Sequence, residues 1–97
     1  MKVLLACAAG MSTSLLMNSM RKSAAEGDVI EAVPYTEIDD VVDGFDVVLL
    51  GPQIRFRLAE AKKKLAASGK PVDVIDMRAY GTMDGQKVMA QARSLLA

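Results

Sequence analysis

Val3-Leu4-Leu5-Ala6-Cys7-Ala8-Ala9-Gly10-Met11-Ser12-Thr13-Ser14 is the stretch on which the reading of this chain turns. Four apolar residues bounded by small ones read as a short buried strand, and the pattern from Leu15 onward reads as a helix. Cys7 therefore stands where the strand passes into the loop. That loop carries one glycine, two alanines and three hydroxyl residues in seven positions, so its backbone can turn tightly with little side-chain bulk in the way. Unpaired amides at a helix N-terminus carry partial positive charge, attract anions and lower a thiol pKa. The expectation is a Cys7 thiolate inside a phosphate-sized nest of main-chain N–H groups. The competing reading is an inert core thiol, since free cysteine also serves as a small hydrophobe. A turn of small residues with Ser12, Thr13 and Ser14 at the head of a helix is more than a core thiol needs, and this favours a nucleophile.

Outward from the loop, Leu16, Met20 and Ala24 fall on one helical face, with Asn18, Arg21 and Lys22 elsewhere. Gly27 stops that helix. Val29 to Val33 reads as a second strand exposed at Glu31, ended by Pro34. Thr36 is a candidate cap for a short acidic helix from Glu37 to Asp43, whose carboxylates read as a solvated face rather than metal ligands. Asp46 to Leu50 is the clearest strand, continuously apolar and so covered on both faces. After Gly51-Pro52, the spacing of Ile54, Leu58, Ala61 and Leu65 predicts a helix to about Ala67. Ser68-Gly69-Lys70-Pro71 turns the chain into a fourth strand, Val72 to Ile75. Asp76 to Gly81 reads as an irregular crossover, and Asp84 as the N-cap of a last helix ending near Leu96.

Strand and helix thus alternate four times, which predicts a single α/β domain over residues 1–97, with a four-stranded parallel sheet and helices on both faces. Right-handed crossovers in a flavodoxin-like layout give strand order 2-1-3-4. Ligands in such sheets gather at the carboxyl ends of the strands. Cys7, Gly51-Pro52-Gln53 and the segment from Asp76 to Asp84 all leave those ends. Pro52, Gln53, Tyr80 and Asp84 are therefore candidate rim residues, with Gln53 and Tyr80 equally able to be loop-fixing hydrogen bonders. Asp84 is a candidate general acid as well as a cap.

The composition excludes much else. The chain has 97 residues, 52% hydrophobic and 25% charged, with twelve basic residues against twelve acidic ones. Zero net charge gives no field favouring nucleic acid or an anionic membrane. The absence of histidine removes Ser-His-Asp triads, histidine zinc sites and any phosphohistidine on this chain. A single cysteine removes intramolecular disulfides and Cys-x-x-Cys chemistry, so a reducing cytoplasm is the natural setting. The N-terminal apolar run is too short for a signal peptide, and no stretch reaches the roughly 18 apolar residues of a membrane span.

Cys7 through Leu16, with Val47-Val48-Leu49-Leu50-Gly51-Pro52-Gln53-Ile54 and Val74-Ile75-Asp76 followed by Tyr80-Gly81 and Asp84-Gly85, resembles the enzyme IIB components of the bacterial phosphoenolpyruvate-dependent sugar phosphotransferase system, in their lactose, cellobiose and chitobiose branch. The resemblance covers essentially the whole chain. It implies a cytoplasmic phosphocarrier without cofactor or metal, in which Cys7 takes a phosphoryl group from a phosphohistidine of enzyme IIA. The group then passes to a sugar bound by membrane enzyme IIC, a β-linked disaccharide such as cellobiose, chitobiose or lactose. Residues Ala8, Ala9, Gly10, Met11, Ser12, Thr13 and Ser14 would form the phosphate-binding loop, with the three hydroxyl residues either donating to phosphate or capping the helix. Met11 either projects toward the partner or packs beneath the loop. Arg55 and Arg57 either meet an acidic partner or lie on a solvated face.

Two other functions compete. A low-molecular-weight cysteine phosphatase or arsenate-reductase-like hydrolase is similar in layout but wants an arginine six positions after the cysteine, where this chain has Thr13. A non-catalytic binding module with an inert Cys7 is the other.

Overall fold

In the computed structural model, residues 1–8 and 15–97 are described, together with the backbone but not the side chain of Ser14. Strands β1 (Lys2–Cys7), β2 (Val29–Pro34), β3 (Val47–Leu50) and β4 (Val72–Val74) form one parallel sheet in the order β2-β1-β3-β4, the order expected from the sequence. Helices α1 (Ser14–Lys22), α2 (Ile38–Val41), α3 (Leu58–Leu65), α4 (Met77–Gly81) and α5 (Gly85–Leu96) alternate with them. The period-two alternation of β1 divides the core between two faces. Val3 and Leu5 pack with Leu16 and Met20 of α1 and Val88, Met89 and Ala92 of α5. Leu4 and Ala6 point the other way, toward Ile38 of α2, Val42, and Ala61 and Leu65 of α3. Val47 to Leu50 are each 0% exposed, as a strand covered on both faces requires.

The structure differs from the sequence expectations in four places. The helix expected from Ile54 to Ala67 is α only from Leu58 to Leu65, with 3₁₀ turns at Pro52–Arg57 and Ala66–Ser68. Proline near the start favours the tighter turn, and Ile54, at φ −117° and ψ 26°, leaves the helical basin. The acidic helix is broken into a 3₁₀ turn, the four residues of α2 and another 3₁₀ turn, and Thr36 lies inside the first turn rather than at a cap. Pro34 extends β2 instead of ending it. It pairs with Cys7 at the outer strand of the sheet, where a missing N–H leaves no gap in the ladder.

The expected irregular crossover after β4 is instead α4. The Asp76 carboxylate accepts from the N–H groups of Arg78 (2.8 Å) and Ala79 (3.1 Å), and these bonds hold its pKa below the usual carboxylate range. Five helical residues are too few to show a period, so only the cap signalled them. Gln91 of α5 stands behind this turn. Its side chain accepts from the Asp76 N–H at 3.0 Å and donates to the Val74 carbonyl at 2.7 Å, closing off the end of β4. Asp84 caps α5 as expected, accepting from the Lys87 N–H at 3.2 Å.

Helices α1 and α5 approach closely where α5 starts. The Gly85 N–H donates to Ser19 Oγ at 2.9 Å, and a methyl group at Gly85 would overlap the main chain of Ser19 and Met20. This contact braces α1, the helix that begins directly behind the Cys7 loop. Alanine at a helix position normally adds up to about 1 kcal/mol of stability over glycine. Gly85→Ala is expected to do the opposite, lowering stability by about 1–3 kcal/mol through overpacking. Denaturant unfolding checks the sign, and a stabilised variant would contradict the contact.

Candidate functional site

Cys7 is the last residue of β1, flanked by Pro34 at the end of β2. On the other side, the Gly51 N–H donates to the Ala6 carbonyl at 2.9 Å, which ties the exit of β3 to the exit of β1. Three chain exits thus converge on one sulfur. Cys7 is half-buried, and its Sγ donates to the Val33 carbonyl at 3.5 Å. Burial pushes the thiol pKa up. Desolvation acts against the expected thiolate, whereas most of the loop whose amides were expected to favour it, residues 9–13, lies outside the described residues.

A cavity of about 370 Å³ opens beside Cys7 and Ala8. One wall comes from the end of β2, Pro34 to Thr36, and the other from Gln53, Ile54, Phe56 and Arg57 after β3. Hollows of about 420 Å³ beside Asp28 and about 630 Å³ along Ala59 to Lys63 are larger but include no nucleophile. Size is therefore a poor guide here, and chemistry marks the cavity at Cys7.

Of the rim candidates, Gln53 lines this cavity. Pro52 is buried one residue earlier, at the start of the 3₁₀ turn. Tyr80 packs against the α1 and α5 core cluster, and the Asp84 carboxylate is occupied by its cap, so neither is among the lining residues. Ala8 lines the cavity, whereas Ala9, Gly10, Met11, Ser12 and Thr13 lie outside the described residues. Ser14 contributes the first residue of α1, its side chain also outside the described part.

Sequence reasoning passed over Tyr35 and Phe56 and left Arg57 undecided between a partner contact and a solvated face. Tyr35 is 5% exposed, and its hydroxyl donates to Glu60 Oε1 at 2.9 Å. Burial first, and then that carboxylate, push its pKa up to about 12. Two cations approach the ring, Arg57 Cζ at 4.9 Å and Lys64 Nζ at 4.7 Å from its centroid. Arg57 also lies 5.4 Å from the Phe56 ring and pairs with Glu60 at 3.3 Å. Phe56 itself is 73% exposed. The rule that ligands gather at strand carboxyl ends could have flagged Tyr35, which directly follows β2.

Among the described residues no three metal-ligating side chains come together, and no helix is long and apolar enough to cross a membrane. The arrangement can hold a nucleophilic thiol beside a hollow walled by aromatic rings and a guanidinium.

Comparison with known proteins fits this geometry. The chain is 47% identical to a galactose-specific EIIB component of the phosphotransferase system from Lactococcus lactis subsp. cremoris (strain MG1363), over 97% of this chain and 94% of that one. It is 46% identical, with the same coverage, to a cellobiose-specific EIIB component from Lactococcus lactis subsp. lactis (strain IL1403). The solution structure of the cellobiose-specific phosphotransferase IIB component from Borrelia burgdorferi superposes with a TM-score of 0.80 at 42% identity, covering 98% of this chain and 90% of that one. The model of the lactose/cellobiose-specific IIB subunit of the phosphotransferase system matches residues 2–91, and the chain belongs to that family.

Proposed function

We propose that this subunit is the phosphocarrier between a IIA protein and a membrane IIC protein, with Cys7 as the residue that carries the phosphoryl group. The observation that supports this most directly is the position of the chain's only cysteine, half-buried at the carboxyl end of β1 and open to a cavity. In the first transfer the N–P bond of the donor phosphohistidine breaks, an S–P bond forms on Cys7, and the thiol proton passes to the imidazole nitrogen that leaves. In the second, a sugar hydroxyl oxygen attacks phosphorus, the S–P bond breaks, and sulfur recovers a proton. Amides of residues 8–14 are the proposed cradle for the phosphoryl oxygens. Thr13, in place of the arginine that a cysteine hydrolase uses, favours holding the group for a partner over releasing it to water.

Both transfers need another protein to cover Cys7. Leu15 (69% exposed), Phe56 (73%) and Met77 (61%) are large apolar side chains left in water, and each follows a strand that ends at this side of the sheet. Isolated exposed hydrophobes are ordinary, but three on the face that holds the nucleophile suit a docking surface. The transported sugar is proposed to be a β-linked disaccharide, held mainly by the membrane partner.

Intact mass spectrometry tests the chemistry. After incubation with phosphoenolpyruvate, the general phosphotransferase proteins and a IIA subunit, the wild type should gain one phosphoryl group and Cys7→Ser none. Phosphorylation of Cys7→Ser would place the group elsewhere, and Cys7-dependent turnover of p-nitrophenyl phosphate would favour the hydrolase. Phe56→Asp should fold normally, because the ring is exposed, yet accept phosphoryl from IIA at least about tenfold more slowly, the loss expected for about 1.4 kcal/mol of docking energy. Unchanged transfer kinetics would remove Phe56 from the interface. A raised thiol pKa means that thiolate accumulates only as pH climbs past the ordinary value. The alkylation rate of the free protein should therefore rise through a midpoint above about 8.5, and a midpoint below it would contradict burial as the governing influence.

A further inference from the structure

Cys7 and Arg57 face the same cavity from different strand exits, yet in the resting structure the guanidinium is turned toward Glu60. We propose that Arg57 is the counterion of the phosphorylated Cys7, leaving Glu60 to bind the phosphoryl oxygens across the cavity. This rests on the phosphocarrier reading of Cys7.

Four observations support it. Arg57 is the only Lys or Arg among the residues lining the cavity. Its hold on Glu60 is a single contact at 3.3 Å between side chains that are 39% and 56% exposed, a surface pair of the kind that contributes roughly 0–1 kcal/mol and is easily exchanged. A guanidinium has five N–H donors in a planar fork suited to phosphate oxygens, and the resting pair uses one nitrogen. Finally, the Arg57 Cζ lies 4.9 Å from the Tyr35 ring and 5.4 Å from the Phe56 ring, two residues that line the same cavity, so cation–π contact holds the guanidinium beside it.

The neighbouring charges favour the exchange. Glu60 keeps a donor after Arg57 leaves, because the Tyr35 hydroxyl bonds the same carboxylate at 2.9 Å. Lys64 is already committed to Asp39 at 3.2 Å and lies over the Tyr35 ring, so it does not compete for the phosphoryl group. A phosphoryl group brings up to two negative charges into a partly enclosed hollow, where an opposite charge counts for more than at an open surface. Resting Cys7, by contrast, bonds the Val33 carbonyl, so Arg57 has a role only once phosphorus has arrived.

The test is the pH titration of the phosphorus resonance of the loaded protein, prepared with phosphoenolpyruvate, the general phosphotransferase proteins and a IIA subunit. Removing a cation near a phosphoryl group makes its last proton harder to remove. Arg57→Gln should raise the titration midpoint by about one pH unit, the low end of the effect of an opposite charge within about 4–6 Å. Arg57→Lys should recover part of the shift. Glu60→Gln, which frees the guanidinium, should lower the midpoint, and no general loosening of the fold would produce opposite shifts at the two positions. Superimposable titrations for wild type and Arg57→Gln would overturn the role of Arg57 while leaving the carrier function intact. No phosphorus signal on the wild type would instead overturn the carrier function and this inference with it.

Discussion

Parallel pairing of β1 with β2 on one edge and β3 on the other is the constraint on which the rest of this structure depends. Val3 sits beside Ile30 and Val47, and Ala6 beside Val33 and Leu50, so both edges of β1 are engaged along its length. Both faces are covered as well, since Val3, Leu4, Leu5 and Ala6 are at most 1% exposed. Burying Val3, Leu4 and Leu5 contributes roughly 1.5–3 kcal/mol each. A strand fixed on four sides has no freedom of register, and slipping it by one residue would turn its apolar side chains to the wrong faces. Cys7 is thus positioned by the core itself.

The same constraint builds the cavity. Because β1 is central, the chains leaving β2 and β3 emerge beside Cys7, and Tyr35 and Arg57 arrive from opposite sides. Tyr35 is anchored by burial, its hydroxyl is held by Glu60, and two cations cover its ring. The wall beside the sulfur is therefore rigid at its base and charged at its rim. Burial that raises a thiol pKa also lowers its reactivity toward oxidants and alkylating agents.

Helices α1 and α5 pack against one another on one face of the sheet. The glycine at the start of α5 lets that helix press on the main chain of α1, and Gln91 of the same helix closes the end of β4. One helix therefore contacts both the helix that follows β1 and the end of β4, through contacts that are polar or backbone-level and leave little trace in a hydrophobic pattern.

The elements legible in the sequence are those whose signal is local. The apolar runs at Val3 to Ala6 and Val47 to Leu50 declare strands covered on both faces, and the alternation of strand and helix leads to the 2-1-3-4 sheet through the handedness of crossovers. The cap at Asp84 is also readable, because a carboxylate three residues ahead of a free N–H acts within its own turn. Short elements are not legible in this way. Asp76 to Gly81 looks irregular because five residues contain no period, and the segment after Gly51 looks α-helical because spacing alone does not distinguish a 3₁₀ turn from the first turns of a helix. The partners of Cys7 belong to tertiary structure. Val33, which accepts from the sulfur, and Tyr35 and Arg57, which share its cavity, lie 26 to 50 positions away along the chain, and only the packing of three strands side by side gathers them there. The direction of its pKa shift follows the same division: sequence identifies a thiol at the head of a helix, while burial, a property of the assembled fold, pushes its pKa up.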